Sequence, residues 1–121
     1  MAWEVEVTDE WLAWYDGLPE GDQDELAAVI GLLEAQGPQL GFPYTSGVIS
    51  SEHPHMRELR VQSRGKPLRV LYAFDPRRVA ILLLGGDKTG DKRWYDRVVP
   101  EADRLYSEHI RDLWKEKLIN E

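Results

Sequence analysis

Between the turn Asp75-Pro76-Arg77-Arg78 and the pair Gly85-Gly86, the chain runs Val79-Ala80-Ile81-Leu82-Leu83-Leu84 without a single polar side chain. The run is too short for a helix of ordinary length, and a strand with one wet face would alternate in polarity. It therefore reads as a strand buried on both faces, in the middle of a sheet. The rest of the chain must supply neighbours for that strand and layers to cover it.

Trp3, Val5 and Val7 alternate with Glu4 and Glu6, the two-residue period of a strand with one wet face. Thr8 followed by Asp9 and Glu10 predicts a helix start, with the acids where the macrodipole favours them. Trp11, Leu12, Trp14, Tyr15 and Leu18 then make a short amphipathic helix, closed near Gly17 and Pro19. Asp22 with Glu25 resembles a capping box and predicts the start of a second helix. Its Leu26, Val29, Ile30 and Leu33 fall on one stripe, and Gly37-Pro38 stops it. A loop rich in Gly, Pro and Ser follows, to Pro54. Met56–Gln62 reads as a strand, Ser63–Pro67 as a turn and Leu68–Phe74 as the next strand. Pro100 suits the first turn of a last helix, on which Ala102, Leu105, Tyr106, His109, Ile110 and Leu113 recur at helical spacing. The order β-α-α-β-β-β-α predicts one α+β domain over residues 1–121. Its small, mostly antiparallel sheet has about four strands, with an N-terminal helical hairpin on one face and a C-terminal helix.

Composition narrows the chemistry. With no cysteine, disulfides and thiolate sites are excluded. No apolar run approaches the ~20 residues that cross a bilayer, and Met1–Val7 carries two glutamates and no basic residue, unlike a signal peptide. The expectation is a cytoplasmic protein without a membrane partner. A net charge of −7 argues against a polyanionic ligand, but the charge is unevenly placed. Met1–His55 holds eleven acidic residues and no Lys or Arg; Met56–Arg93 holds ten basic residues and four acidic ones. Such asymmetry is what a phosphate-facing patch requires.

Gly85-Gly86-Asp87-Lys88-Thr89-Gly90 lacks the first glycine and the spacing of a phosphate-binding loop. His53 and His55 stand two apart beside Glu52 with no evident third ligand, so they read as solvated loop residues rather than a metal site. His109, in the apolar stripe of the last helix, reads as a packed, hydrogen-bonded histidine. Neither a metal nor a cofactor is expected. On the strand Met56–Gln62, Leu59 and Val61 mark the core side, shared by Arg57, so Arg60 projects from the opposite face with Glu58. On the next strand Arg69 falls on the same side if the even positions Leu68, Val70, Tyr72 and Phe74 are core, and antiparallel pairing would then set Arg60 and Arg69 next to each other. Two like charges so placed repel unless a phosphate bridges them. Lys88, Lys92, Arg93, Trp94 and Tyr95 follow the apolar strand, and cations interleaved with aromatics suit single-stranded RNA. Trp94 and Tyr95 have a plainer alternative, as core residues at the head of the last helix.

Met56-Arg57-Glu58-Leu59-Arg60-Val61, Leu68-Arg69-Val70-Leu71-Tyr72 and Gly85 to Tyr95 resemble the RelE/ParE superfamily, and more closely its phage-derived, HigB-like branch. Leu40-Gly41-Phe42-Pro43 and Pro100 to Tyr106 are similar to that branch too. The resemblance implies a ribosome-dependent mRNA endonuclease, the toxin of a type II toxin–antitoxin pair. Its partners would be the ribosome, mRNA and a cognate antitoxin of the helix-turn-helix kind, held with it in a hetero-oligomer. The implied chemistry is metal-free: the ribose 2′-hydroxyl attacks the adjacent phosphate, with a base, an acid and positive charge around the phosphorane. By resemblance, Arg60, Arg69, Lys88 and Tyr95 are catalytic, while Arg57, Lys92, Arg93 and Trp94 bind RNA. Met56 and Glu58 stand where some members carry a lysine pair; Glu58 is then either the base or the neutraliser of Arg60. The acidic N-terminal half departs from the basic ribosome-binding surfaces usual in the superfamily.

Two other readings share the fold or the surface: a gyrase-binding toxin without nuclease activity, and a non-catalytic adaptor whose acidic hairpin meets a basic partner. Trp114, Leu118 and Ile119 in the last helix either pack on the hairpin or mark an interface.

Overall fold

A computed structural model of the chain describes residues 2–119. Its elements are β1 (Val5–Val7), α1 (Asp9–Asp16), α2 (Glu20–Gln36), a 3₁₀ turn at Gly37–Gln39, β2 (Thr45–Gly47), β3 (Arg57–Ser63), β4 (Lys66–Phe74), β5 (Ala80–Asp87) and α3 (Trp94–Lys115). The five strands form one sheet in the order β1-β5-β4-β3-β2. Only the β1–β5 pair is parallel, so the sheet is mostly antiparallel, as expected. The fifth strand, β2, lies inside the expected loop: Thr45, Ser46 and Gly47 pair with Leu59, Glu58 and Arg57, a contact set by distant residues rather than by local pattern.

Both faces of the sheet carry a core. On one, Leu59, Val61, Leu68, Val70, Tyr72, Ala80 and Leu82 meet Trp11, Leu26 and Leu33 of the helical hairpin. On the other, Met56, Leu71, Ala73, Ile81 and Leu83 meet Trp94, Val99, Ala102, Leu105 and Tyr106 of α3. Each fully buried leucine stabilises the fold by about 1.5–3 kcal/mol relative to exposure. The apolar run is thus buried on both sides, with β1 and β4 as its neighbours. The stripe on α2 packs as expected, with Leu26 and Leu33 fully buried, whereas Leu12 of α1 is exposed.

Several boundaries differ from the sequence reading, among them the end of α3 at Lys115, which leaves Leu118 and Ile119 past the helix, and the start of β4 at Lys66. α2 begins at Glu20 after Pro19, without a side-chain cap. Asp22 is instead buried, accepting from the Ser63 hydroxyl at 2.5 Å and pairing with the Lys66 ammonium, so it ties α2 to the β3–β4 turn. Next, β5 continues through Gly85-Gly86 to Asp87. These glycines do not end the strand; they clear space on its two faces, since a Cβ at Gly85 would enter the Trp14 ring and one at Gly86 the Trp94 indole. Last, α3 begins at Trp94 rather than at Pro100, which lies inside the helix. Burial of Trp94 and Val99 against the sheet holds the earlier turns despite the missing N–H of the proline.

The turn between β3 and β4 contains only Arg64 and Gly65, both at positive φ (52° and 77°), the pattern of a two-residue hairpin. That turn places Ser63 opposite Lys66 and so Arg60 opposite Arg69. The register of the candidate site follows from it.

Candidate functional site

Arg60 and Arg69 are direct cross-strand neighbours on the α3 side of the sheet, as the alternation implied. That side is not open surface, however. Arg69 is only 7% exposed, because Gly86 stands opposite it on β5 and admits the Trp94 indole alongside. The site therefore lies at the rim of the second core rather than on a wet face. Arg60 is half-buried, with its guanidinium 5.2 Å from the centre of the Phe42 ring.

Glu58 neutralises Arg69, not Arg60. Its Oε1 lies 3.6 Å from Arg69 Nε, with both side chains about nine-tenths buried. The same oxygen accepts from the Tyr95 hydroxyl at 2.5 Å, and Oε2 accepts from the Ser46 hydroxyl at 2.8 Å. Ser46 is the cross-strand neighbour of Glu58 on β2, so the unexpected strand is what positions it. Arg69 Nη1 donates to the Leu68 carbonyl at 3.0 Å, while its buried Nε has no hydrogen-bond partner among the described residues. A buried donor without a hydrogen-bond partner is costly, and the Glu58 carboxylate 3.6 Å away offsets part of that cost.

Tyr95 joins this cluster from the first turn of α3. Burial pushes its phenol above the ordinary range, and the Glu58 carboxylate it donates to pushes the same way. At neutral pH it is therefore a proton donor. Lys88 Nζ sits 5.4 Å from the centre of the Tyr95 ring, a cation over its face. One chain of contacts thus runs from Lys88 through Tyr95 and Glu58 to Arg69, with Arg60 beside Arg69. Three cations stand here and, among the described residues, only Arg69 is paired to a carboxylate, which leaves the cluster positive and suited to a phosphate.

Of the remaining expected RNA-binding residues, Lys92 and Arg93 are exposed in the turn before α3. Arg57 and Trp94 are not brought to the cluster. Arg57 shares the hairpin side with Leu59 and Val61, its Nε donating to Thr45 Oγ1 at 3.2 Å. Trp94 is 4% exposed and belongs to the core, because Gly86 leaves a slot that its indole fills. The head-of-helix alternative therefore describes Trp94, while Tyr95, one residue on, points back to Glu58.

Two of the three histidines, His53 and His109, are structural. His53 is not solvated: its Nε2 lies 3.1 Å from Ser107 Oγ and its ring packs edge-on against Tyr106, which docks the loop onto α3. His55 is exposed, and among the described residues no group of three His, Asp or Glu side chains converges as metal ligands. His109 is packed and hydrogen-bonded as expected, with Nε2 2.9 Å from Oδ2 of the buried Asp75.

Glu58 was visible in the sequence but paired with the wrong arginine, and Ser46 carried no signal because its role depends on β2. Phe42 and Tyr44, exposed at 77% and 43% beside Arg60, carried no signal either. An aromatic in a Gly/Pro-rich loop has no periodicity to betray it.

Residues 13–107 match the family described as phage-derived protein Gp49-like. The chain is similar to the candidate toxin HigB2 of Mycobacterium tuberculosis, with 39% identity over 112 residues that cover 91% of this chain and 55% of that protein. It is also similar to the candidate toxin HigB3 of the same organism, with 46% identity over 102 residues that cover 79% of this chain and 88% of that protein. The chain thus spans about half the length of the first relative and most of the second. Its fold resembles an arginine-to-alanine double mutant of the Escherichia coli toxin RelE in the free state. The TM-score is 0.57 at 12% identity, covering 81% of this chain and 96% of that one. It also resembles the archaeal RelE–RelB complex from Pyrococcus horikoshii, with a TM-score of 0.54 at 16% identity, covering 73% and 97%.

Proposed function

Because the chain belongs to the phage-derived Gp49-like family, on the HigB-like branch of the RelE/ParE superfamily, we propose that it is the toxin domain of a type II toxin–antitoxin pair and cleaves mRNA on the ribosome. The observation that carries this reading is the contact chain Lys88–Tyr95–Glu58–Arg69 with Arg60 alongside. It supplies, in one place, cations for a phosphate and a carboxylate–phenol pair for proton transfer.

In the proposed reaction the ribose 2′-oxygen attacks the adjacent phosphorus, its proton passes to Glu58, and the bond to the 5′-oxygen breaks. Tyr95, released from Glu58 as that carboxylate takes the proton, gives its own to the departing 5′-oxygen. The Glu58 acid then returns a proton to the Tyr95 phenolate along the hydrogen bond they share, and both groups are restored. Arg69, Arg60 and Lys88 hold the phosphorane. The product is a 2′,3′-cyclic phosphate. Exposed Lys92 and Arg93 extend the positive surface along the RNA.

The partners follow from the same reading: ribosome and mRNA in the cytoplasm, and an antitoxin that silences the toxin by covering it, as RelB accompanies RelE in the archaeal structure. Among the described residues, no helix is long and apolar enough to cross a membrane.

The test is to induce the protein in a bacterial host beside Arg69→Ala and Lys88→Ala, and to map mRNA 5′ ends. Growth arrest with new cuts inside translated messages, absent in both variants, is expected. Arrest without cuts but with DNA-damage signalling would move the case to a gyrase poison. Arrest or binding that survives both substitutions would favour an adaptor.

A further inference from the structure

We propose that Phe42, Tyr44 and Arg60 form a seat for one unpaired nucleobase of the RNA, immediately beside the phosphate site at Arg69. The inference rests on the nuclease reading above and says where the substrate's base next to the cut is held.

Phe42 is 77% exposed and Tyr44 43%, on the segment just before β2. Arg60 touches the Phe42 ring at 5.2 Å, yet that contact leaves most of the ring in water. A ring recruited only to cover the arginine would be more deeply buried. These side chains line a cavity of about 350 Å³ with Pro43, Gln62 and Arg69. It opens along β3 where β2 ends: Thr45 pairs with Leu59, and past that point no strand among the described residues covers the edge.

The rings are held in register rather than carried on a loose loop. The Arg60 N–H donates to the Tyr44 carbonyl at 2.8 Å, and the Tyr44 and Thr45 N–H groups both donate to the Gly41 carbonyl, at 3.1 and 3.3 Å. The segment from Gly41 to Thr45 is therefore a closed turn fixed to the arginine it flanks.

The lining chemistry selects a base over a second phosphate. Two aromatic faces and a guanidinium plane stack on any unstacked base, and the Gln62 amide offers both a donor and an acceptor to its edge. Glu25 of α2 stands on the same wall, where a carboxylate would repel a phosphate but accept a hydrogen bond from an exocyclic amine. Arg69 joins this cavity to the catalytic cluster, so a base seated here belongs to a nucleotide at the scissile phosphate.

The proposal is tested with the wild-type chain, Phe42→Ala, Tyr44→Ala and Phe42→Trp, each induced in the same host with mRNA 5′ ends mapped and melting midpoints measured on purified protein. Phe42→Ala should lower cutting by at least about fivefold, the loss of one stacking contact. It should also flatten the base preference at one position beside the cut, and Phe42→Trp should restore both. Melting midpoints should stay within a few degrees, because Phe42 packs little. If the wild type cuts and Phe42→Ala cuts equally, with the same base profile, the seat does not exist and the nuclease reading stands alone. If Phe42→Ala cuts normally and only escapes antitoxin neutralisation, the surface belongs to a protein partner and the proposal is overturned. If the wild type arrests growth without cutting, the nuclease reading falls first and takes this inference with it.

Discussion

The Tyr95 hydroxyl donates to Glu58 Oε1 at 2.5 Å, joining the first turn of α3 to β3. This contact closes the candidate site. Without it, Glu58 would be the partner of Arg69 and Ser46 alone, and Tyr95 an aromatic at a helix start.

Tyr95→Phe removes the proton donor while keeping the ring under Lys88. Cutting is expected to fall about 10²-fold, the usual contribution of a positioned acid, with stability changed by only about 1 kcal/mol. Glu58→Gln should match that loss of cutting, and the double variant should lose little more, since the two act as one pair. Quantifying cut messages and urea midpoints for all three tests this; independent, multiplicative losses would show that the pair is not a unit.

Removing Arg69 should cost more than removing Arg60. Arg69→Ala is expected to lower cutting by about 10²–10³-fold and also to destabilise the fold, because Glu58 is left buried without its cation. Arg69→Lys restores the charge but not the fork of donors, so it should rescue stability before activity. Arg60→Ala, whose side chain has no carboxylate partner among the described residues, should lower cutting with little change in melting.

Asp75 gives the fold an acid-sensitive point. Burial opposes its charge, but hydrogen bonds from Arg77, His109 and the Val79 N–H outweigh burial and hold its carboxyl below the ordinary 3.8. A carboxyl lowered on folding stabilises the native state above its unfolded value, and the contribution is lost as pH falls through the folded value. Urea midpoints measured from pH 7 down to about pH 2 should therefore drop more steeply for the wild type than for Asp75→Asn, with the two curves converging in acid. Parallel curves would sink the assignment.

Gly86→Ala should be destabilising by about 1–3 kcal/mol, because its new methyl enters the Trp94 indole beside Arg69. Trp94→Ala should cost about 3–5 kcal/mol as a large buried ring is lost. Arg93→Ala, one residue earlier and exposed, should leave stability unchanged and weaken RNA binding only. Calorimetric midpoints for the three variants distinguish core from site within neighbouring residues.

Much of this was legible in the residues themselves. Alternating polarity fixes which side of β3 carries Arg60, because the period of a strand is local. The apolar run from Val79 to Leu84 demands burial on both sides wherever it is placed. The stripe of Leu26, Val29, Ile30 and Leu33 announces α2 in the same way, and the crowding of cations between Met56 and Arg93 announces a positive site. What pattern could not decide was which groups meet. Whether Glu58 serves Arg60 or Arg69, whether Trp94 stacks or packs, and whether Ser46 does anything depend on three facts of the folded chain. These are the register imposed by the Arg64-Gly65 turn, the pairing of β2 with β3, and the space that Gly86 leaves for an indole. None of them has a period. The turn acts within its own hairpin, but the other two are contacts between distant segments whose free energy exists only once the chain has closed on itself, and only the tertiary structure could settle them.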